Sequence, residues 1–355
     1  MYELLNNIIG NQLITFIIAA ALPLVFIVPY VMVAVYLERK VSAHIQDRLG
    51  PMRVGWHGWL QLIADFLKLV QKEDIVADQN DKKLFVLAPF VTFVGAYAAY
   101  AVLPWSSAYV GSGADVGIFF LIAISSLAVA GILMGGWASN NKYSLLGAMR
   151  SAAQIVSYEI PSAIVILSIV MITGTLSLSQ MSEMQTAYFW NWNIFGGAEF
   201  GLTKFLLIPF MFAGFIMLYI STLAEVNRLP FDLPEAESEL VAGYSTEYSG
   251  MKFAMFFLAE YANMFAVSAL VTVLFLGGYQ SPFGYLGNTL GIEWLVPIEQ
   301  VFWFASKGIL LVVVQIWLRW TLPRIRVDQL MAMCWKYLIP YALINLIIIG
   351  LITLI

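Results

Sequence analysis

The sequence predicts an all-α polytopic membrane protein: eight transmembrane helices plus an amphipathic interfacial helix. Three observations predict it. Hydrophobic residues make up 61% of the 355 positions and charged residues 11%, with mean hydropathy +0.83; a soluble domain is about half apolar and about a quarter charged. Eight windows reach the roughly 20 mostly apolar residues that a bilayer crossing needs: about 13–37, 84–104, 116–137, 154–174, 204–224, 253–278, 298–318 and 331–353. Finally, Lys and Arg fall on alternate connections, the asymmetry that sets orientation in a membrane.

With the N-terminus outside, the inner segments are 38–83, 138–153, 225–252 and 319–330. They hold Arg39, Lys40, Arg48, Arg53, Lys68, Lys72, Lys82, Lys83, Lys142, Arg150, Arg228, Lys252, Arg319, Arg324 and Arg326, fifteen of the 18 basic residues. Lys204, Lys307 and Lys336 lie in or at the edge of spans. Both termini are then periplasmic, and length and composition point to a bacterial inner (plasma) membrane. The first residues lack a basic stretch and the first apolar run is too long for a signal peptide. The chain reads as a single membrane domain, 1–355, with a cytoplasmic loop at 38–83 and an acidic cytoplasmic loop at 225–252.

Each element has its own signal. Pro23 and Pro29 fall inside the first window; neighbouring helices can satisfy the freed backbone groups, so the span survives with an expected kink. Gly, Pro and charge crowd the stretch after it, ERKVSAHIQDRLGPMRVGWHG, which predicts an irregular loop. From His57 to Asp74, Gln61, Asp65, Lys68 and Lys72 recur at helical spacing, and so do Trp59, Ile63, Phe66 and Val70. That pattern fits a helix lying in the membrane interface. It is either an anchor packed on the bundle or a wall or gate for a lipid-soluble substrate. Outer residues 175–203 carry Tyr188, Trp190 and Trp192, a plausible interfacial belt.

Several chemistries lack their residues. The single cysteine, Cys334, excludes an intrachain disulfide and a CxxC metal or iron–sulfur motif. His44 and His57 are the only histidines and neither lies in a span, which argues against haem in the bundle. Neither a Walker A sequence, a zinc motif nor a nucleophile triad pattern occurs. If electrons are involved, another subunit brings them, and nothing points to nucleic acid.

Carboxylates carry the strongest signal. Glu159 and Glu260 fall within spans and Glu225 ends one. An ionisable group at such depth is expensive and is by default a functional candidate; the simpler alternative is a structural hydrogen bond between helices. The stretch AEVNRLPFDLPEAESELVAGYSTEYSG adds Asp232, Glu235, Glu237, Glu239 and Glu247, against Arg228 alone. A helical PEAESELV would place Glu235 and Glu239 on one face, and like charges four apart need an offset. Protonation, an arginine partner or burial against a basic neighbour would supply it, with Arg228 and the first basic loop as the candidates. The acids together suggest a path from a cytoplasmic-side cavity into the bilayer.

The motifs VYLERKVSAHIQDRLGPMRVG, QLIADFLKLVQKED, SAAQIVSYEI, AEVNRLPFDLPEAESELVAGYSTEYSG, FFLAEY and LPRIRVDQLM, in that order over nearly the whole chain, resemble the H subunits of respiratory complex I, a family that includes the mitochondrial ND-one-type subunit. The resemblance implies a membrane subunit of a proton-translocating NADH–quinone oxidoreductase. Such a subunit forms the quinone chamber with hydrophilic-arm subunits, one of which carries the terminal iron–sulfur cluster, and it neighbours other membrane-arm subunits, including antiporter-like ones. By resemblance, Arg39, Trp59, Ile63, Phe66 and Arg228 line the quinone chamber. Glu159, Glu225, Glu235, Glu237, Glu239, Glu247 and Glu260 form a proton relay, joined by Asp65 and Glu73. The chain itself binds no cofactor: quinone is substrate, and FMN and iron–sulfur clusters belong to partners.

Other readings compete. An autonomous cation or proton transporter conflicts with the missing internal repeat and with Lys307 as the only deep base well inside a span. The membrane subunit of a hydrogenase-linked complex is less similar in the Glu225–Gly250 stretch and the amphipathic helix. A pure scaffold leaves Glu159 and Glu260 unexplained.

Overall fold

A computed structural model describes residues 11–197, 201–234 and 237–354. Among the described residues, eight helices are long and apolar enough to cross a membrane. They are α1 (Gln12–Ile45), α3 (Lys82–Ala99), α4 (Gly117–Ala138), α5 (Lys142–Thr173), α7 (Leu202–Glu225), α9 (Gly250–Phe275), α11 (Leu295–Thr321) and α12 (Val327–Thr353). Short helices lie between them: α2 (Gln61–Gln71), α6 (Leu178–Met184), α8 (Glu237–Leu240) and α10 (Leu286–Leu290). The chain is an all-α polytopic membrane protein.

The helices outrun the apolar windows. α1 passes through Pro23 and Pro29 and continues to Ile45, so Glu38, Arg39 and Lys40, expected in an irregular loop, sit on a helix. α5 begins twelve residues before its window, where Asn141 caps it by accepting from the Tyr143 amide. It ends at Gly174, whose φ of 65° suits a left-handed terminus. Hydropathy reports only the lipid-facing length; caps and packing extend a helix into its polar turns.

α9 is the axis of the bundle: 78% of its most apolar stretch is buried, the largest share of any span. Its Phe265 is fully buried among Phe26, Tyr30, Tyr100, Trp105 and Phe304. Small residues permit close helix approach, the main packing device where lipid supplies no hydrophobic drive. A Cβ on Gly131 of α4 would lie 2.2 Å from the Thr92 hydroxyl and 2.7 Å from its backbone nitrogen on α3. α12 contains a π-helical turn at Met333–Leu338, beside which the Cys334 thiol donates to the Ser157 carbonyl (3.1 Å).

The amphipathic helix is present, with one difference. α2 faces the bundle with its mixed side: Leu62 is buried and Asp65 is partly covered. Ile63, Phe66 and Val70 are 42–53% exposed, as is Trp59 just before the helix, at 49%. The apolar stripe is therefore not packed on the bundle of this chain. The covered side is Gln61, Leu62, Asp65 and Leu69, docked against α9 and, through Asp65, against α1, while Lys68 and Lys72 stay exposed.

Candidate functional site

The basic ends of α1, α9 and α11 meet the connection after α7, and there the buried charges collect. Glu38 and Arg39 are neighbours on α1 and point to different sides. The Arg39 guanidinium contacts the Asp65 carboxylate of α2 at 2.6 Å. Burial opposes the Asp65 charge, but the hydrogen bond and charge of Arg39, with Gln61 and Lys68, outweigh it and hold its pKa below the ordinary value. A recess of about 480 Å³ opens beside this pair, lined by Arg39, Ser42, Arg48, Gly50, Pro51 and Gln61.

Glu38 points into the bundle and is 7% exposed. Its carboxylate accepts from Tyr261 of α9 (2.5 Å), from Arg228 (3.3 Å to each oxygen) and from Arg319 of α11. Arg228 is 2% exposed; its second terminal nitrogen lies 3.0 Å from Glu260, and its guanidinium lies 4.4 Å from the centre of the Tyr261 ring. Burial opposes its charge, yet Glu260, Tyr261 and Glu38 outweigh that and hold its pKa well above the ordinary value. Asp232 pairs with Arg324 at 3.4 Å on the same side. Buried charges are costly unless paired, and each charge of this cluster has an oppositely charged partner.

Beyond Arg228 the acids continue. Glu260 and Glu225 line one cavity together with Thr92, Ser125, Asn227 and Asn263. It offers about 40 Å³ to water, and a single water needs roughly 10–15 Å³ on the same measure. Glu159 of α5 lies within electrostatic reach of Glu225, and its Oε1 is buried without a hydrogen bond from the protein. Two carboxyls facing a water-sized cavity of mixed polar and apolar lining can pass a proton through water, and charge-paired neighbours can bias which carboxyl holds it.

The remaining predicted residues lie nearer the surface. Glu239 pairs with Arg150 of α5 at 2.7 Å. This corrects the expectation that Arg228 or the first basic loop offsets it: Arg228 is committed to Glu38 and Glu260. Glu247 accepts from Asn141 at 2.7 Å, at the rim of an open recess lined also by Asp78, Asn80 and Lys142. Glu73 is exposed; its backbone carbonyl accepts from Ser249. Glu235 lies outside the described residues, and of Glu237 only the helical backbone is described. Trp59 packs edge-on against Tyr36 at 5.1 Å, next to the Arg39–Asp65 pair.

Sequence reasoning missed Glu38, Arg319 and Arg324 as members of the site, and counted Asp232 only among the acids of its stretch. Glu38 had a signal: it is an acid at the end of a span, the criterion that selected Glu225. Among the described residues no group of three or more His, Cys, Asp or Glu is arranged to hold a metal ion.

Comparison with known proteins agrees with this layout. The profile of the NADH dehydrogenase family matches residues 18–350. The H subunit of NADH-quinone oxidoreductase from Chlorobaculum tepidum is 52% identical over 336 residues, 94% of this chain and 90% of that protein. The H subunit from Rickettsia prowazekii is 46% identical over 334 residues, covering 94% and 91%. In Cytophaga hutchinsonii, the NADH-quinone oxidoreductase H subunit numbered 2 is 45% identical over 350 residues, covering 92% and 96%. With the deep carboxylates, the amphipathic helix and the eight spans in place, this chain belongs to the family of H subunits of NADH-quinone oxidoreductase, respiratory complex I.

Proposed function

We propose that this chain forms the membrane side of a quinone chamber and couples quinone reduction to proton movement through its buried carboxylates. One observation carries the reading. Adjacent residues on α1 connect the two halves: Arg39 grips α2 through Asp65, while Glu38 grips Arg228, which holds Glu260 at the cavity shared with Glu225. A change of charge or position beside α2 therefore reaches the carboxyl cavity through three ion pairs, two of them on one helix end.

The exposed stripe of Trp59, Ile63, Phe66 and Val70 suits a lipophilic substrate or the partner that encloses it. The basic side faces the cytoplasm of a bacterial inner membrane. Hydrophilic-arm subunits, one carrying the terminal iron–sulfur cluster, dock there; FMN and the other clusters lie further along that arm. Other membrane-arm subunits flank the lipid-facing helices. Glu159, Glu225 and Glu260, with Glu235, Glu237, Glu239 and Glu247 towards the cytoplasm, make up the relay.

Two experiments test this. A tag on this chain should co-purify flavin and iron–sulfur subunits in mild detergent; a chain that purifies alone and moves cations in vesicles contradicts the reading. In assembled complex, Phe66→Ala should raise the apparent KM for quinone while leaving electron transfer to a water-soluble acceptor unchanged. An unaltered quinone dependence counts against the chamber assignment.

A further inference from the structure

The polar residues do not stop at Glu38. α9 and α11 run side by side, and buried polar residues recur between them away from the basic side. One turn before Arg319, Gln315 is 1% exposed and donates to the Ser268 hydroxyl at 3.1 Å. Its Oε1 receives no hydrogen bond from the protein, and a buried amide oxygen of this kind is normally satisfied by water. Ser268 and, one turn on, Thr272 are fully buried, each donating to a carbonyl of the preceding turn. One turn further is the Leu276 carbonyl at the end of α9, which accepts from the Lys307 ammonium at 2.7 Å.

Lys307 is 9% exposed. It also donates to the Gln280 carbonyl (2.8 Å) and lies 4.4 Å from the Trp192 ring centre, and no carboxylate is within ion-pair distance among the described residues. The side chain of Gln280 begins a separate hydrogen-bonded series that ends at the surface. The Tyr285 hydroxyl donates to the Gln280 side chain (2.6 Å), the Gln300 amide approaches the Tyr285 oxygen (3.5 Å), and Gln300 accepts from the exposed Ser107.

We infer that the seam between α9 and α11 is a second proton path within this chain, from the Glu38–Arg319 pair through Gln315, Ser268 and Thr272 to Lys307 and the opposite surface. The inference rests on the proton-coupling role proposed above. Gln315 and Lys307 are eight residues apart, about 12 Å along the helix. Between them α11 presents buried Leu311 and Val312. Dry, this layer blocks a leak; water entering beside the two hydroxyls completes the path, as in pores gated by wetting. Each transit moves one proton and leaves the chain unchanged: Lys307 gives a proton to water at the outer series and regains one from water admitted to the seam.

A helix-capping role alone makes a different prediction, and arginine separates the two. Lys307→Arg keeps the charge and the donors to both carbonyls, but a guanidinium does not release its proton in a protein. The experiment uses the complete complex in liposomes, with NADH as reductant and a short-chain quinone as acceptor. Protons released per quinone reduced are counted, alongside electron transfer to a water-soluble acceptor. Lys307→Arg and Thr272→Val should each lose a whole proton per quinone with electron transfer to the soluble acceptor intact, and Thr272→Ser should retain the wild-type ratio. An unchanged ratio in both blocking variants overturns the seam. Should Lys307→Arg not assemble, Thr272→Val against Thr272→Ser decides alone. A wild-type complex that releases no protons overturns the coupling role itself, which is a distinct result.

Discussion

Arg228→Met is the sharpest perturbation of the buried charge cluster. The arginine lies 3.0 Å from Glu260 and 3.3 Å from Glu38. At an effective dielectric constant of ~20, each contact corresponds to about 5 kcal/mol of Coulomb attraction. Desolvation of the three charges absorbs much of that. The net loss on removing one partner of a buried pair is about 3–5 kcal/mol, because the other charge is left uncompensated. Glu38 keeps Arg319, so the uncompensated charge is chiefly Glu260. Neutralising it should restore stability: Arg228→Met with Glu260→Gln should be more stable than Arg228→Met alone, by about 1–3 kcal/mol, the cost of leaving a buried group unsatisfied. The assay is the yield of assembled complex and the thermal midpoint of the purified complex for the wild type, both single variants and the double variant. A double variant less stable than Arg228→Met would refute the reasoning, since it would mean that Glu260 does not depend on Arg228 for its charge.

Three further outcomes are expected. Gly131→Val places a branched side chain where the Thr92 hydroxyl and backbone already lie; overpacking should cost about 1–3 kcal/mol, read as a lower thermal midpoint, and should perturb the neighbouring cavity that Thr92 lines. Arg150→Gln removes a pair whose Glu239 side chain is 56% exposed; stability should change by less than about 1 kcal/mol, and a larger drop in midpoint would show the pair to be buried against a partner. Asp65, with its lowered pKa, contributes stability that is fully present above the ordinary value of 3.8 and is lost as pH falls through the lowered one. Hydrogen exchange in residues 61–71 should therefore be flat from neutral pH to about pH 5 after correction for intrinsic rates, and Asp65→Asn should raise it across that range.

The spans were legible because lipid imposes a length and a composition on them, and the basic residues mark one side. Glu225 and Glu260 were legible because a carboxylate in an apolar run has no ordinary explanation. The partnerships were not. Nothing local tells Glu38 from Arg39, which sit on one turn and serve different halves of the site; only the angle at which α1 meets α2 and α9 separates them. Arg228 was visible as the lone cation of an acidic stretch, but its partners come from 190 residues earlier and 32 later. The stripe on α2 was read correctly as apolar, and its outward direction follows from the side that docks against α9 and α1, which hydropathy does not encode. Lys307 was noted as the one deep base; its role at the end of α9 required the fold.

The most direct test of the carboxyl cavity is quinone-linked proton release by assembled complex carrying Glu225→Gln and Glu260→Gln. Both substitutions keep shape and hydrogen bonding while removing the exchangeable carboxyl. The account predicts that NADH-driven proton release coupled to quinone reduction is lost, while electron transfer to a water-soluble acceptor stays at the wild-type rate. Wild-type proton release per quinone in that double variant would contradict it.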